Sequence, residues 1–236
     1  MSSNERVKLN QFIGQKAAID SLKISIEAAK IKNEILSHVL LIGERGSGKQ
    51  TLAYAIADDL KANIHSISMR AIKKDSDLAA ILTNLCPGDV LLAENFGAIK
   101  PDCVDLLCTA MDSFSMDIII GKGPGARNVK LELPAFTLIA TMDENNELPQ
   151  KIINCFPLKF DLVKYSHTEL GVLSKIFASQ LEVSITEEAS MIIAETADGS
   201  YRKMINLLKR ARDFAIVKNN GNIDEDTAKK TISLIG

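Results

Sequence analysis

The residues best suited to do chemistry lie between Val39 and Thr51, in the stretch VLLIGERGSGKQT. Gly43, Gly46 and Gly48 precede Lys49 at the spacing of a phosphate-binding loop, after a short apolar run and before a helical pattern that reaches Leu60. A phosphate chain needs several backbone N–H donors at close range, so glycines line such a loop, and a helix start adds a favourable dipole. Lys49 would reach the terminal phosphates. The hydroxyl that ordinarily follows this lysine and ligates Mg²⁺ is replaced by Gln50, with Thr51 one position late. An ordinary Gly-rich strand-to-helix turn uses some of the same residues; strand, lysine and helix in one register favour phosphate binding.

The surrounding elements must present that loop. A helix is expected from about Lys16 to Lys32, where Ala18, Ile19, Leu22, Ile24, Ile26 and Ala29 roughly follow a 3.6-residue period. His38 opens the first strand and has no second ligand at metal spacing, so it reads as a polar strand-start residue. A strand near Asn63–Ser68, a helix over Asp75–Leu85 and a Pro87-Gly88 turn lead to the apolar run Asp89–Ala93, which ends at Glu94 and Asn95. A helix follows Pro101 and runs to about Met111. Met116–Gly121 and Arg127–Leu133 then flank a turn rich in Gly and Pro and form a hairpin, its second arm alternating apolar and polar residues. Ala135–Ala140 is a further buried strand, followed by a short helix near Pro149–Asn154 and a strand over Leu158–Val163. Apolar strands separated by helices imply an α/β fold, a parallel sheet covered on both faces. From Ser166 onward the pattern is purely helical, in four segments separated by turns such as Asp198-Gly199-Ser200 and Asn219-Asn220-Gly221. The chain is therefore cut near Lys164, into an α/β domain over 1–164 and a small all-helical domain over 165–236.

Composition narrows the function classes. The chain has 236 residues, 46% of them hydrophobic, and a net charge of −2, so its whole surface is no polycation made for nucleic acid. Cys86, Cys103, Cys108 and Cys155 form no CxxC pair and have no companion histidine spacing, which suits thiols in a reducing cytoplasm. The N-terminus is polar and charged rather than a secretory signal, and no apolar run reaches membrane-spanning length.

Several phrases together carry a family resemblance: FIGQ (Phe12–Gln15), DLAAILTNL (Asp77–Leu85), IIIGKGPGAR (Ile118–Arg127), LELPAFTLIAT (Leu131–Thr141) and RARDFA (Arg210–Ala215). From about Leu9 onward the chain resembles the RuvB family of AAA+ ATPases, the bacterial motors of Holliday-junction branch migration in DNA recombination and repair. The resemblance implies ATP or ADP as ligand. It makes Phe12 and Ile13 the residues that pack adenine, although Ile13 suits plain core packing equally well, and Tyr165 the aromatic residue beside the base. Arg202, in Gly199-Ser200-Tyr201-Arg202 where the family has Gly-Thr-Pro-Arg, corresponds to the lid arginine that senses the γ-phosphate. The second domain is then the AAA+ lid.

The hydrolytic parts depart from the family. Its acidic motif ends Asp-Glu, the Asp holding Mg²⁺ and the Glu polarising the attacking water; here the pair is Glu94-Asn95. Glu94, with Thr51, is what remains to hold Mg²⁺, one methylene longer than the family's Asp. Asn95 has no atom of useful basicity and cannot accept a proton. The sensor phrase Ala-Thr-Thr-Arg becomes Ala140-Thr141-Met142-Asp143, and the arginine-finger phrase Leu-Arg-Asp-Arg-Phe becomes Ile152-Ile153-Asn154-Cys155-Phe156. An arginine finger is worth on the order of 10³ to 10⁵ in turnover. The expectation is a protein that binds nucleotide, hydrolyses it weakly or not at all, and acts through hairpin 116–133, which in the family docks the junction-binding protein RuvA. The other partners expected are further AAA+ subunits, in a ring. Family members continue past the lid into a DNA-binding winged helix, which these residues do not include, so DNA contact is expected only indirectly. Two other readings stay open: a working branch-migration ATPase in which Thr51, Glu94 and an outside arginine compensate, and a clamp-loader-like AAA+ scaffold.

Overall fold

The computed structural model describes residues 7–120 and 127–234, and the side chains of residues 118–128 lie outside that description. Its contacts divide the chain into two compact units, one of which takes in Ala17–Gly43 and Lys49–Asp161, the other Ile13–Lys16, Glu44–Gly48 and the chain from Leu162 onward.

The first unit is built on five strands: β1 (Val39–Gly43), β2 (Ile64–Ser68), β3 (Val90–Glu94), β6 (Thr137–Met142) and β7 (Leu158–Leu162), in the order β2-β3-β6-β1-β7. The pairs β2/β3, β3/β6 and β1/β6 are parallel. β1, β3 and β6 are buried almost without a break, and they take the three central places. β2 and β7 carry exposed residues among partly buried ones and take the edges. This division is what covering a parallel sheet on both faces with helices demands. The helices are α1 (Lys16–Lys32), α2 (Lys49–Leu60), α3 (Asp75–Leu82), α4 (Pro101–Ser113) and α5 (Gln150–Asn154). α2 buries Leu52, Ala53, Ala55, Ile56 and Ala57. β4 (Ser115–Ile120) and β5 (Arg127–Glu132) pair antiparallel as a separate two-stranded sheet, with Ser115 opposite Glu132 and Ile120 opposite Arg127. The Gly- and Pro-rich turn at 122–125 lies outside the described residues.

Three expected boundaries move for local reasons. β3 begins at Val90 rather than Asp89, because the buried Asp89 carboxylate accepts from the Cys86 N–H (2.8 Å), the Asn63 amide (3.2 Å) and His65 Nε2 (2.9 Å) and so fixes the preceding turn. Burial alone would push that carboxyl up; these donors outweigh it and hold it below the usual range. α3 stops at Leu82, where the Thr83 hydroxyl and Asn84 amide take the carbonyls of Ala79 and Ala80. β6 starts at Thr137, two residues late, where the Thr137 hydroxyl donates to the Leu36 carbonyl at 2.7 Å.

The second unit holds α6 (His167–Gln180), α7 (Glu187–Ala197), α8 (Tyr201–Lys218) and α9 (Glu225–Ser233), around a core that includes Leu170, Ile193, Met204, Leu208 and Ala211. Ser166, Thr186, Ser200 and Asp224 each cap the following helix with a side-chain oxygen. One detail departs from the purely helical expectation. Ser184–Ile185 (β8) pairs in parallel with Asn222–Ile223 (β9), a two-residue contact between connections that is too short to leave an alternating pattern in sequence.

Candidate functional site

The parallel sheet delivers its chemistry-bearing residues to one edge. Residues pair Leu41 with Thr141 and Ile42 with Met142 across β1 and β6, so Gly43 and Asp143 leave their strands side by side. Glu94 ends β3, opposite Ser68 of β2. The carboxyl ends of parallel strands are where α/β folds gather a site, because loops there are free of ladder hydrogen bonds.

Lys49 begins α2 and turns back to that edge. Its ammonium donates to the Gly43 carbonyl and lies 3.3 Å from Asp143 Oδ1. Gln50 Nε2 donates to Glu94 Oε1 at 3.0 Å, and the Ser66 hydroxyl donates to the same oxygen at 2.7 Å. Asn95 sits in the left-handed region (φ 53°, ψ 46°), a conformation its short amide tolerates better than most side chains, and its Nδ2 donates to Ser68 Oγ at 3.3 Å. Thr51 follows on α2 and is half-buried, as is Phe12 near the start of the chain. Asn154 and Cys155, at the end of α5, bond locally, to Gln150 Nε2 and to the Lys151 carbonyl.

Loop 44–48 is described within the second unit. Gly46 and Gly48 have φ of 95° and 93°, which lets the backbone turn its amides inward as other residues resist doing. The Gly46 carbonyl accepts the Tyr201 N–H at 3.0 Å, and a Cβ on Gly46 would meet Ser200 Oγ at 2.4 Å. Arg202 lies one residue on, exposed on the first turn of α8. Gln15 is buried and threads three bonds through the unit: Nε2 to the carbonyls of Ser47 (3.3 Å) and Val163 (2.7 Å), Oε1 from the Val163 N–H (3.1 Å). Tyr165 is buried against Gly14, its ring 6.2 Å from that of Tyr201, and burial pushes its phenol up. Ile13 is half-buried beside them in sequence. Ser47 is 3% exposed, and its Oγ is a buried side-chain atom with no hydrogen-bond partner among the described residues. A buried hydroxyl left unmatched costs free energy, and such atoms often mark the place of a ligand.

The structure therefore brings Gly43, Lys49, Gln50, Glu94 and Asn95 together in the first unit, and Ile13, Gly46, Gly48, Tyr165 and Arg202 fall in the second. Reasoning from sequence missed Asp143 as the partner of Lys49, Ser66 as the second donor to Glu94, and Gln15 as a buried brace. Only register could have found the first two, since strands far apart in sequence carry them to one edge.

The model of the Holliday junction DNA helicase RuvB P-loop domain matches residues 6–162, and that of the RuvB AAA lid domain matches residues 165–236. This chain belongs to the RuvB family. It is similar to the Holliday junction branch migration complex subunit RuvB of Campylobacter fetus subsp. fetus, 41% identical over 226 residues, covering 96% of this chain and 66% of that protein. The RuvB subunit of Kosmotoga olearia is 40% identical over 229 residues, covering 97% of this chain and 67% of its own length. This RuvB-family chain thus spans about two thirds of the length of the curated relatives it matches. Its fold is similar to that of the Thermotoga maritima RuvB Holliday junction branch migration motor, with a TM-score of 0.85 and 33% identity over 97% of this chain and 72% of that one. A point mutant of the same Thermotoga protein superposes with a TM-score of 0.88 at 34% identity, over the same shares of the two chains. None of the described helices is long and apolar enough to cross a membrane.

Proposed function

We propose that this RuvB-family chain binds an adenine nucleotide at the loop 43–49, turns it over weakly or not at all, and serves as a subunit of a branch-migration or related recombination complex. In this reading residues 1–164 work as the P-loop domain and 165–236 as its lid. Backbone amides of the loop and Lys49 hold phosphate; Phe12, Ile13 and Tyr165 enclose the base; Arg202 answers to the nucleotide from the lid. The unmatched hydroxyl of Ser47 supports a phosphate ligand, since a phosphate oxygen would accept its proton.

The observation that carries the loss of turnover is Asn95. Its amide stands at the end of β3, in the sequence place of the family's water-polarising Glu, and it donates to Ser68. An amide takes no proton from water at any working pH, and without that step hydrolysis loses its general base. Ile153 and Cys155, which stand at the two arginine positions of the finger phrase, offer no positive charge to a neighbouring subunit. The remaining function is then assembly, in which hairpin 116–133 docks a RuvA-like junction-binding protein or another AAA+ subunit, with DNA reached through that partner.

Steady-state phosphate release, measured with and without four-way-junction DNA and a RuvA-type protein, tests the reading. The expected result is no release above background while nucleotide still raises the melting temperature. Junction-stimulated turnover abolished by Lys49→Ala would overturn it.

A further inference from the structure

At the sheet edge Lys49, Gln50 and Glu94 Oε1 are matched by one another's neighbours inside the protein, and the match has a chemical sense. Glu94 Oε1 receives two neutral donors, Gln50 Nε2 at 3.0 Å and Ser66 Oγ at 2.7 Å. Gln50 occupies the place of the hydroxyl that would ligate Mg²⁺ in a P-loop. Its orientation is fixed by what it faces: turning the amide over would set its oxygen against a carboxylate oxygen, so the NH₂ group must point at Glu94. An N–H donor cannot ligate a cation. Mg²⁺ requires near-ideal octahedral oxygen geometry at about 2.0–2.1 Å and gives up water reluctantly, and here Gln50 offers it no oxygen while Glu94 Oε1 is taken by two donors. Among the described residues no cluster of three or more His, Cys, Asp or Glu is placed to hold a metal instead. The residues present do not fit the ion.

Lys49 and Asp143 decide what anion suits such a site. The Lys49 ammonium carries the Asp143 carboxylate at 3.3 Å, where a terminal phosphate would otherwise lie. A γ-phosphate there would meet the Asp143 carboxylate with no metal to neutralise the two anionic groups. A diphosphate ends one phosphate short of that crowding and needs only the loop amides and part of the lysine's charge. The geometry points to a site that takes a nucleoside diphosphate in preference to a triphosphate, with no divalent cation. The Gln50–Glu94 hydrogen bond stands in for the metal bridge. This rests on the nucleotide-binding reading above and adds the ligand's phosphate count and its metal requirement.

Isothermal titration of the intact chain with ADP and with ATP, each in excess Mg²⁺ and again in EDTA, tests it. ADP is expected to bind equally well in both buffers, within a factor of about two, and ATP to bind at least tenfold more weakly than ADP in EDTA (about 1.4 kcal/mol). Two variants turn the argument round. Gln50→Thr combined with Glu94→Asp should make binding tighter in Mg²⁺ than in EDTA by about tenfold, and Asp143→Thr should bring ATP level with ADP. ADP binding that requires Mg²⁺ in the unaltered chain, or ATP binding as tightly as ADP in EDTA, overturns the inference and leaves nucleotide binding intact. If neither nucleotide binds in either buffer, both readings fall together.

Discussion

Asp143 lies 3.3 Å from the ammonium of Lys49, so the cation that opens α2 has a carboxylate partner before any ligand arrives. Side-chain exposure of 12% for the lysine and 33% for the aspartate places the pair between core and surface. Solvent screening keeps such a pair to about 1 kcal/mol or less of folding stability. Lys49→Ala, which also takes the donor from the Gly43 carbonyl, should therefore cost about 1–3 kcal/mol in urea unfolding without ligand. The same variant should abolish the nucleotide-dependent gain, which for a site at 100 times its Kd is about 2.7 kcal/mol. Unfolding curves with and without ADP check this, and a full ADP-dependent gain in Lys49→Ala would rule out the lysine as a phosphate ligand.

Gln15 makes a different prediction, because its loss strands backbone groups. The buried side chain satisfies the N–H and carbonyl of Val163 and the carbonyl of Ser47. Gln15→Ala leaves them without those partners, at about 1–3 kcal/mol for an unmatched buried group. Gln15→Glu is expected to be as damaging, since a carboxylate can accept from Val163 N–H but cannot donate to either carbonyl. Denaturant midpoints of the two variants measure this. A Gln15→Glu midpoint equal to that of the unaltered chain would exclude the brace.

Two glycines separate backbone strain from contact. Gly46 and Gly88 both have positive φ, 95° and 84°, so alanine at either incurs a backbone cost of roughly 1 kcal/mol. Around Gly88 nothing lies within 4 Å of an added Cβ, whereas at Gly46 it would meet Ser200 Oγ at 2.4 Å and the Arg202 N–H at 3.3 Å. Gly46→Ala should thus destabilise by more than Gly88→Ala, by on the order of 1–3 kcal/mol, the usual range for an overpacked site. Calorimetry on the pair gives the difference directly; equal losses would show that Ser200 moves aside freely.

Much of this architecture was legible because the signals were local. The unbroken apolar runs Val39–Ile42, Val90–Ala93 and Leu138–Ala140 announce buried parallel strands, and they became the three central ones. Gly43, Gly46, Gly48 and Lys49 announce their loop through spacing alone. What escaped sequence depends on register. Asp143 stands 94 positions from Lys49 and Ser66 stands 28 from Glu94, and only the pairing of β6 with β1 and of β2 with β3 brings each to its partner. Gln15 escaped for a related reason: its partner Val163 is 148 positions away, and a lone glutamine carries no sign of being buried.

His38 supplies a pH dependence of definite sign. Its Nδ1 accepts the Leu138 N–H at 2.9 Å, so the neutral ring carries its proton on Nε2, which faces the Met111 carbonyl at 3.1 Å. Burial lowers the ring's pKa, and the Met111 carbonyl and the charge of Asp112 pull the other way without cancelling it. In the unfolded chain the same ring titrates near about 6.5. Below that value the unfolded state binds a proton that the folded state refuses, so ν(U) exceeds ν(N) and stability rises with pH. The contribution is complete above the unfolded pKa and is lost as pH falls toward the folded one. His38→Gln removes the titrating group, and its stability should vary less than that of the unaltered chain between roughly pH 5 and 7. The two profiles share every other ionisable group, including Asp89, so their difference isolates the imidazole. Parallel profiles across that window would mean that His38 titrates alike in the folded and unfolded states.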